Sequence, residues 1–211
     1  IRRRLIASPP GDVFDQTRVI LISHAHQDHL DPPTLARFAR ATVILAPYPA
    51  ARYLQKRGIR AWVMRPGDEY PFRGGSITAV PAHHPGGRLS LKARSDGRAI
   101  GYVIRTAHET IYYTGDTEYF SGFETVAAKF NPDVVLLNLN AHLHSRDALR
   151  AIDDLDAPVV IPIHLGAYNG KSERLGPRWR SELVDSLGAQ IVPLEVGQSL
   201  PLNVAGRTRG R

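Results

Sequence analysis

Apolar residues are grouped in short runs along most of the chain, and these runs alternate with segments whose apolar residues recur at helical spacing. Runs rich in Val, Ile and Leu, bounded by Gly, Pro, Asp or Asn, predict strands. They fall at residues 18–23, 42–46, 61–64, 76–81, 99–106, 109–114, 133–137, 158–163 and 190–193. Helices are predicted over 33–41, where Thr34, Leu35 and Phe38 align, and over 145–155, where Leu149 and Ile152 do. Further helical patterns cover 49–57, 123–130 and 177–187. Pro32 and Pro33 suit a helix start, and Gly58 and Gly188 suit helix ends. From 76 to 114 strand follows strand through turns, with residues 107–109 at a hairpin tip. The pattern predicts an α/β domain whose sheet-rich centre is flanked by αβ units.

Length and composition narrow the picture. A chain of 211 residues suits one domain, expected over 1–205, with an Arg/Gly tail at 206–211 read as disordered. At 43% hydrophobic and 22% charged residues, the composition is that of a packed globular protein. Without cysteine, thiolate metal sites, thiol nucleophiles and disulfides are excluded, so any metal must be held by His and carboxylate. No apolar run approaches the roughly 20 residues needed to cross a bilayer. The opening IRRRLIASPP is too short in apolar residues for a signal peptide, and a soluble, cytoplasmic protein is expected. The chain starts at Ile1 and its only methionine is Met64, so further sequence upstream is expected.

Basic residues outnumber acidic ones 27 to 20, a net charge of +7 that favours an anionic partner by long-range attraction. Arg2, Arg3, Arg4, Arg207, Arg209 and Arg211 supply much of it at the two ends. Because the basic residues are not interleaved with aromatics, solvated tails are preferred to a nucleic-acid footprint. A small or lipid-like anionic substrate is the expected partner.

The stretch RVILISHAHQDHLD concentrates the chemistry: an apolar strand ends at Ser23 and four candidate ligands follow within six residues, His24, His26, Asp28 and His29. Three of the nine histidines sit in that window, directly after a buried strand. A loop leaving a strand end can fan such neighbours toward two metals, His24 and His26 to one, Asp28 and His29 to the other. A polar His-rich loop or a single structural metal is the alternative.

HxHxDH after an apolar strand resembles the signature of the metallo-β-lactamase superfamily of hydrolases. The resemblance implies a four-layer αββα sandwich, here lacking its first strands at the N-terminus, and further ligands at later strand ends. VPAHHPGGR supplies the third histidine of the first metal. A PAxH pattern followed by Gly and Arg points to His84, which is preferred, while an HxPG pattern points to His83. YYTGDTEYF places Asp116 where the family has a carboxylate bridging two cations, and VVIPIHLGAY places His164 at the last ligand position. The implied set is His24, His26 and His84 on one metal, Asp28, His29 and His164 on the other, and Asp116 between. The implied cofactor is a pair of zinc ions, with manganese or iron as alternatives.

NAHLHSRDAL resembles the branch containing N-acyl-phosphatidylethanolamine phospholipase D and the ascorbate-phosphate lactonases. There a histidine precedes an acidic helix start and IHWGTF follows. His142 takes that histidine's place, which implies proton donation or substrate contact, and Asp28 and Asp116 join it as catalytic residues. Arg88, His144 and Tyr168 are the candidate substrate-binding residues. Leu165 and Tyr168 stand where the branch has Trp and Phe. The implied activity is metal-dependent hydrolysis of a phosphodiester or a lactone or ester. A nuclease of the same superfamily, or a non-catalytic module on the same fold, is the alternative. Only 47 residues lie between Asp116 and His164, too few for the domain inserted in the RNA-processing branch. His26, where two-iron oxidoreductases carry Glu, argues for hydrolysis.

Overall fold

The computed structural model describes residues 11–88, 99–139, 143, 145–164, 189–195 and 197–202. Two sheets organise them. The smaller has strands β1 (Val19–Leu21), β2 (Val43–Ala46) and β3 (Trp62–Val63), all parallel and in that order. The larger runs β10-β9-β8-β7-β6-β5-β4, from Gln190–Ile191 through Val159–Ile163, Val134–Asn138, Thr110–Tyr113, Ile100–Thr106 and Gly75–Pro81 to Glu69–Phe72. Its β4–β7 part is antiparallel and its β7–β10 part parallel.

Strand alternation sorts the side chains into layers. Leu45 and Met64 of the small sheet side meet Ile77, Ala79, Ile100 and Tyr102 of the large sheet in a core between the sheets. Ile44 and Ala46 point the other way, into a cluster with Ala50, Ala51 and Leu54 of α3 (Tyr48–Gln55). On the far side, Val103, Tyr112, Val135 and Val160 pack against α4 (Gly122–Phe130) and α5 (Ser145–Leu155). In α5, Ala148, Ala151, Ile152 and Leu155 recur at the spacing of one helical face. The order is helix, sheet, sheet, helix, the four-layer α/β arrangement. Tyr102 stitches the middle: its buried hydroxyl lies 2.9 Å from the Ile22 carbonyl and 3.1 Å from that of Leu45, across the sheet-sheet boundary.

Several predicted boundaries move. The helix expected over 33–41 is a single turn, α2 (Pro32–Leu35), capped by Asp31, whose carboxylate accepts from the Thr34 amide at 3.2 Å. Leu35, its last residue, packs against the helical layer, while Phe38 beyond it is drawn 4.8 Å from the Phe14 ring of α1 (Gly11–Gln16). Neither α1 nor β4 is predicted by the sequence pattern. Phe14 is the one buried residue of α1, and Pro71 in β4 reads as a breaker. A proline is tolerated there because β4 is an edge strand. The 158–163 run and the 107–109 hairpin tip lie where expected, with the Thr106 amide donating to the Glu109 carbonyl at 2.9 Å. The 177–187 helix and the 206–211 tail fall outside the described residues. Among those described, no helix is long and apolar enough to cross a membrane.

Candidate metal centre

The candidate ligands come from four strand ends that open on one edge of the sandwich. His24, His26, Asp28 and His29 occupy the loop after β1, His84 follows β5, Asp116 follows β7, and His164 follows β9. Their side chains converge into three overlapping groups: His24 with His26 and His84, His24 with His29 and Asp116, and Asp28 with His29 and His164. Within each group the potential ligand atoms lie no more than 4.8 Å apart.

In the first group, the Nδ1 atom of His26 lies 3.0 Å from Nε2 of His24 and 3.1 Å from Nε2 of His84. Nδ1 of His24 is 2.9 Å from Ser23 Oγ, which leaves its Nε2 turned inward. In a neutral trio the single lone pair of His26 Nδ1 accepts from one of these Nε2 atoms at a time; an added proton charges one ring, whereas a cation takes a lone pair from all three. Burial, reinforced by the neighbouring His29, lowers the pKa of His24 to about 2, so the proton is refused. The buried Nε2 of His29 makes no hydrogen bond. These donors fit a divalent cation that accepts imidazole and carboxylate.

Asp116 ties the groups together. Its Oδ2 lies 3.4 Å from Nε2 of His29, 3.6 Å from that of His164 and 3.9 Å from that of His84. Burial opposes ionisation of Asp116, but contact with His29 and the fields of His164 and His24 override it and hold the carboxyl well below the usual range. Asp28 is likewise held low, chiefly by His164, whose Nε2 is 3.6 Å from its Oδ2. The His164 ring stacks on that of His29 at 5.2 Å. Its backbone sits at φ +63, a left-handed conformation that L-residues rarely adopt and that turns the chain sharply at the end of β9.

The two histidines after β5 part company. His84 is 1% exposed and joins the cluster; the His83 ring stacks on Phe120 with centroids 4.2 Å apart. Arg88, expected at substrate, lies over the Tyr53 ring at 4.5 Å. Its Nη1 donates to the Leu30 carbonyl and lies 3.3 Å from that of Ala25 and 3.5 Å from that of His26. Its hydrogen bonds are therefore with the backbone of the ligand loop. His142, His144, Leu165 and Tyr168 lie outside the described residues.

Several supports carried no sequence signal. Ser23 lies against His24, Tyr113 OH is 3.4 Å from Ser23 Oγ, and Asn138 is fully buried at the end of β8. Gly115, at φ +61, brings the turn of Asp116 against the small sheet: a Cβ there would lie 2.7 Å from that of Ser23 and 3.0 Å from the Ile100 carbonyl oxygen.

The sequence matches the Beta-lactamase superfamily domain over residues 2–165. The chain belongs to that superfamily. Among its superfamily relatives, a UPF0173 metal-dependent hydrolase of Pyrococcus furiosus is 34% identical over 209 residues, spanning 93% of this chain and 87% of the relative. One from Enterococcus faecalis is 35% identical, spanning 71% and 68%. Solved structures share the fold: an isothiocyanate hydrolase from Delia radicum gut bacteria has a TM-score of 0.74 at 19% identity, covering 95% of this chain and 83% of that one. Igni18, a metallo hydrolase from Ignicoccus hospitalis, has a TM-score of 0.71 at 21% identity, covering 88% and 79%. The resemblance read from HxHxDH thus holds at the level of the superfamily.

Proposed function

We propose that this superfamily member is a metal-dependent hydrolase working with two zinc ions on an anionic phosphodiester or lactone. The observation that carries the reading is the overlap of the three ligand groups: His24 and His29 each belong to two of them, and Asp116 reaches across. Such a layout suits two neighbouring cations better than one. His24, His26 and His84 would hold one ion, Asp28, His29 and His164 the other, and Asp116 both. When bound, such a pair supplies an activated water as nucleophile and positive charge for the developing oxyanion.

The residues themselves do the positioning. Asp116 and Asp28, both held ionised, offer oxygens that accept hydrogen bonds from the attacking water and orient it between the ligand groups. His142 is the candidate donor of a proton to the leaving group, and His144 and Tyr168 the candidate substrate contacts, on the strength of their sequence neighbourhood. Arg88 acts through the ligand loop, whose carbonyls it gathers. The excess of basic residues favours anionic substrates over neutral ones.

Elemental analysis of the purified protein tests the metal count, with about two ions per chain expected; a value near zero after reconstitution with zinc would overturn the reading. Hydrolysis of bis-p-nitrophenyl phosphate, run beside a simple lactone, then separates the two substrate classes.

A further inference from the structure

Asn138 has no place in the ligand set, yet it touches the strand ends that deliver two of its members and reaches a third through Thr117. It closes β8, and its side chain is fully buried. Its amide nitrogen Nδ2 donates to the Thr117 carbonyl at 3.2 Å, and its Oδ1 lies 3.1 Å from the Thr114 hydroxyl, whose one hydrogen it shares with the Gly115 and Leu136 carbonyls at 2.9 and 3.1 Å. The backbone N–H of Asn138 donates to that same hydroxyl at 3.2 Å. Thr114 and Thr117 bracket Gly115 and Asp116, so both ends of the turn that carries Asp116 are fastened to one residue. The fastening extends further. Thr117 Oγ1 accepts from the His83 amide at 2.9 Å, next to His84, and the Glu118 amide donates back to the His83 carbonyl at 2.9 Å. On the other side Asn138 pairs with Ile163, and the Leu139 amide donates to the Ile163 carbonyl at 3.0 Å, immediately before His164.

A buried primary amide is costly unless its donors and acceptor are satisfied, and an apolar residue at this strand end would have served the core more cheaply. What the amide adds is direction: one oxygen and one nitrogen, at fixed separation, holding two points of a short turn. We infer that Asn138 is a positioning residue that sets where Asp116 stands relative to His29 and His164, and thereby tunes the ligand group nearest that carboxylate. This rests on the two-ion reading proposed above. Outer partners of metal ligands commonly govern affinity by about 10- to 100-fold. Because Asp116 Oδ2 is nearer to His29 and His164 than to His84, the effect should fall mainly on one ion.

The experiment compares metal-depleted wild type with Asn138→Ala, Thr114→Val and Thr114→Ser, titrated with cobalt against a competing chelator and followed by the visible spectrum of the ion. Wild type comes first: fewer than about two ions bound would sink the two-ion reading itself. With that reading intact, Asn138→Ala and Thr114→Val should bind the tighter ion as wild type does and the other about 10- to 100-fold more weakly, with an altered spectrum. Thr114→Ser, which keeps the hydroxyl, should restore wild-type binding. In assays at saturating metal, kcat should fall while KM stays within a few-fold. Equal weakening of both ions, or wild-type affinity and spectrum in the two disrupting variants, would overturn the inference. If Asn138→Ala fails to fold, the Thr114 pair decides alone by the same criteria.

Discussion

The small and large sheets contribute to the candidate centre in opposite ways. The small sheet has three short parallel strands, and β1 spans three residues, none of them buried. Yet the single loop after β1 delivers four of the seven candidate ligands. The large sheet has seven strands and the deeper core, and delivers three ligands one at a time from three strand ends. A clustered set needs one loop to be held, whereas a dispersed set needs registers between strands to be correct. The holding devices differ accordingly. Arg88 gathers the carbonyls of Ala25, His26 and Leu30, while the β7–β8–β9 pairings align Asp116 with His164. The lesson is that local concentration of ligands comes with a weak local scaffold, which must borrow rigidity from its neighbour.

The largest effect should come from removing the residue that joins the two sets. Asp116→Ala should lower kcat/KM on the order of 10³-fold while leaving the core intact, checked by steady-state kinetics beside a thermal melt. Full activity in that variant would break the comparison at its centre. Next, the stitch between the sheets: Tyr102→Phe leaves the ring and removes the hydroxyl shared by Ile22 and Leu45, and should cost about 1–3 kcal/mol in urea unfolding. Zinc should sharpen the contrast further. In hydrogen exchange the amides of residues 24–30 should gain more protection on zinc binding than those of β5 to β9, since the dispersed set already stands on a rigid sheet; uniform protection would argue against a borrowed scaffold. Arg88→Met keeps the packing on Tyr53 but drops the hydrogen bonds, and should weaken metal binding about 10-fold by isothermal titration. Smallest of all, His83→Ala should change metal affinity less than about 3-fold, because its ring faces Phe120 rather than the cluster, and only the His84 counterpart should matter.

How much of this was legible in the chain follows the same division. The loop ligands are neighbours in sequence, so HxHxDH announces them without any fold. His84, Asp116 and His164 are single residues, each an ordinary loop residue by itself, and only the order of strand ends set by the superfamily resemblance brings them forward. The PAxH pattern already favours His84 over His83, and the fold adds the tertiary fact that the His83 ring stacks on Phe120 while His84 joins His24 and His26. Asn138 and Ser23 gave no signal, because a buried amide and a buried hydroxyl act through partners distant in sequence. The layers were legible from alternation in the long strands, and illegible where burial was slight: α1 has one buried residue, and Pro71 disguises the edge strand β4. Phe38 kept helical spacing yet left the helix for Phe14, a tertiary contact overriding propensity.

Gly115 gives the centre its gauge. Its neighbours in the chain are the strand end of the large sheet and Asp116, and across the gap stands Ser23, one residue before His24. A methyl group at Gly115 would meet Ser23 at a distance real side chains do not reach, so the two banks would have to part. They could not part without carrying Asp116 away from His29, since each wall is one peptide bond from a ligand. The clearance between the two candidate ligand sets is thus fixed by an atom the sequence leaves out, and widening it by a single carbon would act as a wedge driven between them.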